Sequence, residues 1–292
     1  MDESAPDGGD DGPAVGEDVE AAFSLLADET RLDILRELYL AEDRLSFSAL
    51  RERVGIRDSG QFNYHLGKLT EQFVGRDEEG YTLTNAGQRV LGAVFAGSYD
   101  RQESVESIPI DGDCPLCGGT LVGGYEQDHC RVECKDCEST VITYPAPPGI
   151  LRGRDRENLP KVFSRYVRTV LAQGIAGFCP FCLGPTEPEL EDENVPEGVG
   201  VTYRCQHCGA DMSTTTGSVL IDNREVSQFA HDHGIDFEED PLWELDPIFD
   251  AEERRLDDEP GPAVVELSMT LDDETLTVRL DEDLSVLDTS RD

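Results

Sequence analysis

Hydrophobic side chains recur at three- and four-residue steps from Val19: Val19, Ala22, Phe23 and Leu26, then Leu32, Leu35 and Leu38. That period predicts two amphipathic helices, the second capped by Asp28 or Thr30, whose side-chain oxygens can accept from first-turn amides. Ser46 can cap a third helix, with Phe47, Leu50, Arg51 and Val54 following and Gly55 ending it. A fourth runs from about Ser59 and sets Phe62, Leu66 and Leu69 at i, i+4 and i+7, the spacing of one buried face. Gln61, Tyr64, Gly67 and Lys68 fall opposite, with Asn63 and His65 on the flanks. FVGRDEEGYTLT then alternates around Asp77 to Gly80, which predicts a two-stranded hairpin, and Thr84 can cap a fifth helix through Ala96.

Three helices, an exposed fourth, a hairpin and a closing helix predict a winged helix-turn-helix domain over residues 19–100. LLADETRLDILREL, QFNYHLGKL and YTLTNAG resemble the ArsR-type winged-helix transcription regulators, particularly the archaeal forms, over Val19 to Tyr99. The resemblance implies binding to double-stranded DNA as a homodimer. It does not extend to metal sensing, because neither the third nor the fifth helix carries the ligand sets of the sensing members. A helix in the major groove reads base edges with amide and hydroxyl groups, while Arg and Lys hold phosphates. On that basis Ser59, Gln61, Asn63 and Tyr64 are assigned to bases or sugars, and Arg57, Lys68 and the hairpin residue Arg76 to phosphates. His65 reads as a packed helix residue, and Arg31 serves equally as an ion-pair partner within the domain or a phosphate contact.

Beyond residue 113 the chemistry changes. Of the nine cysteines, eight fall in four Cys-x2-Cys pairs: Cys114/Cys117, Cys134/Cys137, Cys179/Cys182 and Cys205/Cys208. Two such turns can place four thiolates about one tetrahedral ion, and strand-like alternation in TLVGGYEQ, HCRVEC and GVTYRC joins them, so each set resembles a zinc ribbon. Two structural zinc ions per chain are expected. Redox Cys-x2-Cys motifs stand singly beside a βαβ unit, which makes a thiol oxidoreductase the weaker reading. Four thiolates leave no open coordination position, so catalysis by the zinc, and an enzyme generally, is not expected. Cys130, beside His129, reads as a buried or edge-strand thiol, with an exchange for Cys134 as the alternative.

Between the two sets, PAPPG reads as a stiff connection and Asn158 to Gln173 as a helix with Leu159, Val162, Phe163, Tyr166, Val167, Val170 and Leu171 on one stripe. Leu151 to Arg168 is net +4, which suits either a second anionic contact or an offset to the fold's own acids. Ile108 to Asp113 reads as the end of the first domain. After it come a double-ribbon domain over residues 111–237 and an acidic C-terminal region over 238–292. In the latter, Trp243 lies in an extended segment and AVVELSMTLDDETLTVRL predicts a β-hairpin at 263–281. His231 and His233 do not share a helix face and read as structural.

Composition bounds the setting. The 292 residues include 63 acids against 24 bases, a net charge of -39, and the only lysines are Lys68, Lys135 and Lys161. Self-repulsion of that size is relieved where salt shortens the screening length to about 3 Å at 1 M, so the balance points to the cytoplasm of a halophilic archaeon. An acidic protein that avoids nucleic acid has the same composition. Residues 1–18, rich in Asp, Gly and Pro, read as a disordered acidic tail. There is no apolar run long enough for a membrane span and no basic leader, so a cytoplasmic protein without a membrane partner is expected. The fold expected is α+β: a winged helix-turn-helix domain, then two zinc ribbons with an inserted amphipathic helix and a terminal β-hairpin. The function expected is a sequence-specific transcription regulator. The alternative is a protein-interaction adaptor of the archaeal transcription machinery with no operator of its own.

Overall fold

The computed structural model describes residues 17–70, 72–99, 103–191, 200–245, 251–256 and 265–292. Most of the expected tail lies outside them, although Glu17 and Asp18, read as part of it, already belong to the first helix. The chain is mixed α and β, and its described residues divide into two compact units, one formed by those of 17–99 with 147–152, the other by those of 103–146 and 153–292.

The helical unit orders as α1 Glu17–Leu26, α2 Glu29–Tyr39, α3 Phe47–Val54, α4 Ser59–Leu69, β1 Val74–Arg76, β2 Tyr81–Leu83 and α5 Asn85–Ala96. The starts of α2 to α5 have a local chemical cause. Asp28 accepts from the Arg31 amide at 3.0 Å, Ser46 from Ala49 at 3.2 Å, Asp58 from Gly60 and Gln61 at 2.7 and 2.8 Å, and Thr84 from Gly87 at 3.2 Å. Gly55 ends α3 in the left-handed region at φ 81°, where a side chain is disfavoured. Ile34, Leu35, Leu50, Phe62, Leu69 and Val74 are fully buried and form the core, with Leu66 and Leu91 beside them. Leu45 bridges to Tyr81, and a Cβ at Gly80, whose φ is 143°, would stand 2.6 Å from the Leu45 carbonyl oxygen. The α1 stripe is rotated from the expected one. Ala22, Leu25 and Leu26 pack inward, while Val19 and Phe23 face out, Phe23 at 63% exposure.

The second unit holds three antiparallel sheets. The first runs in order β3 Val105–Asp113, β4 Thr120–Glu126, β5 His129–Cys134 and β6 Thr140–Pro145. α6, Leu159–Ile175, buries Leu159, Phe163, Val167, Val170 and Leu171 and packs on this sheet and on the next. That second sheet is β7 Thr186–Glu191, β8 Gly200–Cys205 and β9 Asp211–Thr215. α7 Thr216–Val219 and α8 Arg224–Asp232 follow, then a sheet of β10 Glu252–Arg255, β11 Val265–Leu271, β12 Glu274–Leu280 and β13 Val286–Arg291. A side chain at Gly174, where α6 meets β9, would displace the end of Met212, whose Cε would stand 1.6 Å from the added Cβ.

Three expectations change here. Ile108–Asp113 is not a connection but part of the edge strand β3, whose register shifts and terminal position accommodate Pro109 and Gly112. The expected hairpin is the centre of a four-stranded sheet, since Glu252–Arg255 and Val286–Arg291, too polar to read as strands, pair along its edges. Trp243 sits in a 3-10 turn, Leu242–Glu244, which packs on β3 and α6 instead of extending away from them.

Candidate metal centres and an exposed helix face

The Cys pairs close into two groups of four: Cys114, Cys117, Cys134 and Cys137, then Cys179, Cys182, Cys205 and Cys208, with the sulfurs of each group within 4.8 Å of one another. Cys114–Cys137 and Cys117–Cys134 stand at 3.9 and 3.6 Å, Cys179–Cys208 and Cys182–Cys205 at 3.7 and 3.5 Å. A tetrahedral ion with metal–sulfur bonds of about 2.3 Å requires sulfurs roughly 3.8 Å apart. The spacing therefore fits, and each group could hold one metal ion.

The same small backbone device builds all four turns. The amide of the first cysteine donates to the carbonyl five residues on: Cys114 to Gly119 at 2.8 Å, and Cys134 to Ser139, Cys179 to Gly184 and Cys205 to Ala210 at 2.9 Å. The residue after the second cysteine takes positive φ in every case, Gly118 at 70°, Glu138 at 59°, Leu183 at 63° and Gly209 at 72°. Amides of Asp136, Phe181, Gly184, His207 and Cys208 point at sulfurs from 3.3 to 3.4 Å, a setting that favours thiolate. Cys117 is pushed up to about 12, first by its hydrogen bond with the Cys137 sulfur. Cys137 is pulled down to about 6 by the Ser139 hydroxyl and amide, and Cys205 to about 6 by the Cys208 and His207 amides.

The cysteine spacing reveals the eight sulfurs but not the residues that support them. A Cβ on Gly184 would lie 2.6 Å from His207 Cβ and 3.2 and 3.3 Å from the sulfurs of Cys182 and Cys205, so any side chain there displaces ligands. The signal was present, since a small residue follows two places after each second cysteine: Gly119, Ser139, Gly184 and Ala210. Two of the positive-φ positions carry side chains, and there Glu138→Gly and Leu183→Gly should each stabilise the fold by about 1 kcal/mol, with Gly118→Ala costing a similar amount. Urea unfolding of the three variants checks this, and equal midpoints would count against left-handed strain at these turns. Cys130 stays outside both groups. It is fully buried on β5, its thiol directed at the Tyr144 carbonyl at 3.3 Å and pushed up to about 11 by burial.

In the helical unit, Arg57, Ser59, Gln61, Asn63, Tyr64, Lys68 and Arg76 are all exposed. Their side chains make no hydrogen bond or ion pair with other described residues; Tyr64, at 62% exposure, carries only the Lys68 ammonium over its ring at 5.8 Å and the edge of His65. Asn63, Leu66 and Gly67 of α4 and Thr70 just after it line a cleft of about 370 Å3 with Arg76 and Tyr81 of the hairpin, Arg76 lying 5.4 Å over the Tyr81 ring. Helix and hairpin thus offer donors and acceptors to one concave surface. His65 points the other way. Its Nδ1 is 3.4 Å from the Asp28 carboxylate, which also has Arg31 Nε at 3.6 Å. Burial works against the charge on Asp28, but the Arg31 amide, His65 and the Arg31 guanidinium together hold it below the ordinary carboxylate range. Arg31, left open in the sequence, and His65, read there as a packed residue, are therefore both engaged where α4 meets the N-terminus of α2.

Part of the basic stretch is likewise engaged by its own fold, Arg152 donating to the Phe95 carbonyl and Arg156 to that of Glu106. No helix among the described residues is long and apolar enough to cross a membrane.

Neither a curated protein nor a solved structure matches the chain. Residues 19–94 match a family model described as a domain of unknown function, DUF7347. The second match, to the domain of unknown function DUF7351, covers residues 111–286, both four-cysteine groups and more than half of the chain, which therefore belongs to the DUF7351 family.

Proposed function

We propose that this protein is a sequence-specific DNA-binding transcription regulator of the winged-helix, ArsR-like type, with two structural zinc ions in its second unit. The reading is carried by the unpartnered polar face of α4. A helix whose inner face is committed to Phe62, Leu66 and Leu69 displays Ser59, Gln61, Asn63, Tyr64 and Lys68 outward, and the adjoining hairpin adds Arg76. Amides and hydroxyls of this kind distinguish base pairs in the major groove, while the hairpin serves as the wing on the backbone. The exposed apolar residues of the same unit, Phe23, Leu40, Val94 and Tyr99, suit burial in a homodimer on a two-fold operator. Zinc is chosen for the four-cysteine groups because a closed tetrahedral thiolate set suits it and it needs no redox chemistry.

Counterion release supplies much of the affinity of ordinary DNA-binding proteins and falls steeply with salt. In a chain of charge -39 the groove-edge contacts must therefore supply a larger share. Selection from random duplexes at molar salt should return one operator. Gln61→Ala with Tyr64→Ala should weaken its binding by about 100-fold or more, roughly 1–3 kcal/mol per lost base contact, with folding intact. Unchanged affinity in the folded double variant would sink the assignment.

A second reading is favoured by a different observation. Phe178, Phe181 and Leu183 on one cysteine turn, and Leu116 on another, are 48–57% exposed. Such side chains suit a protein partner, as in an adaptor of the archaeal transcription machinery. Crosslinking from Tyr64 separates the two, giving DNA adducts for the regulator and protein adducts for the adaptor.

A further inference from the structure

We propose that the cavity between α6 and α8 is a binding site for a small organic anion, gripped by Arg168 and Arg224. The cavity has a volume of about 480 Å3, within the range of about 300–1,000 Å3 usual for small-molecule sites. α8 presents Arg224, Ser227, Gln228 and His231 to it at i, i+3, i+4 and i+7, one face of the helix, and α6 contributes Arg168. Buried Ile221 and Phe237 supply an apolar part of the lining.

The chain has 63 acids, and Arg31, Arg44, Arg204 and Arg291 each have a carboxylate within 4.0 Å. Arg168 and Arg224 make no ion pair and no side-chain hydrogen bond among the described residues, although three carboxylates line the same cavity. Of these, Asp236 is committed to its own loop, accepting from the amides of Glu238 and Glu239 at 2.9 and 3.3 Å. Asp222 and Glu238 are exposed. Two guanidiniums, a hydroxyl and an imidazole facing one cavity, with Ile221 and Phe237 as its apolar part, match an oxyanion on a compact apolar body. The exposed carboxylates repel a polyanion, which favours a carboxylate or phosphate monoester over a nucleic-acid backbone. The site stands independently of DNA binding by α4.

Calorimetric titration of the full chain with phenyl phosphate and with benzoate tests the proposal, with the His231 ring resonance as the local reporter. One of the probes should saturate a single site with a Kd of about 1 mM or tighter, and which of the two binds better assigns the head group. Arg168→Gln and Arg224→Gln should each weaken it at least tenfold or so, while Arg165→Gln, on the same helix but outside the cavity, leaves it unchanged. Circular dichroism establishes that the variants are folded, and Arg224→Lys, which keeps the charge without the fork, should fall between wild type and Arg224→Gln. No saturation by about 10 mM of either probe, equal weakening in all three Gln variants, or displacement of the probe by a short DNA duplex would overturn the proposal.

Discussion

Chelating the metal from zinc-loaded protein should unfold the two cysteine-centred sheets while leaving the helical unit folded. The apparent free energy of a structural zinc site is about 10–16 kcal/mol, comparable to or larger than the whole stability of a typical domain. Each sheet here is built from short strands whose ends are the cysteine turns. Cys134 closes β5 and Cys205 closes β8, both at most 3% exposed. Cys134→Ser or Cys205→Ser removes a thiolate without changing the volume much, so the loss isolates coordination from packing. The helical unit contains no cysteine and has its own core around Phe62 and Leu35, so it should retain its helical circular dichroism and melt as before. Elemental analysis should give about two zinc per chain before chelation and one in either Ser variant. A chelated protein with an unchanged melting profile would mean that packing alone sustains the sheets.

Trp243→Ala should cost about 3–5 kcal/mol, the range for emptying a large aromatic site from a core. The side chain is 2% exposed, and its 3-10 turn packs on β3 and α6. The turn is tied to α6 by the Leu242 amide, which donates to Ser164 Oγ at 2.8 Å in a buried setting. Gly112, at φ 143°, leaves room for the indole, and a Cβ there would stand 3.1 Å from both Trp243 Nε1 and Glu244 Oε1. Gly112→Val should therefore destabilise the same unit from the other side of the contact, through strain as well as overlap. Because Trp243 is the only tryptophan, unfolding is followed by far-ultraviolet circular dichroism in urea. A change under about 1 kcal/mol for Trp243→Ala would mean that the turn opens without loss to the core.

The readable parts of this chain are those whose cause is local. Asp28, Ser46 and Thr84 announce their helices because a cap needs only the next three residues, and Gly55 ends α3 for a reason confined to its own φ. Phe62, Leu66 and Leu69 repeat at a helical period, so the inward and outward faces of α4 follow once it is a helix. The eight cysteines are readable because a Cys-x2-Cys turn fixes two sulfurs by itself, leaving only the pairing of turns to the fold. Edge strands were less legible. β3, β10 and β13 carry Pro109, Glu252–Arg255 and Asp288–Ser290, residues that an unpaired side tolerates and that a pattern search takes for loop.

By itself, then, the sequence determined the caps of α3 and α5, the glycine that ends α3, the polar face of α4, the four cysteine turns and the central hairpin of the last sheet. Tertiary structure alone decided that Trp243 belongs to the core beside β3, that His65 and Arg31 converge on Asp28, and that Val19 and Phe23 face outward. It also brought Arg168 to the same cavity as Arg224, fifty-six residues away. The physical reason is range. Caps, turns and periods are set by neighbours within a few residues, whereas which charge finds a partner, and which apolar side chain finds a cover, depends on surfaces that meet only when distant segments pack.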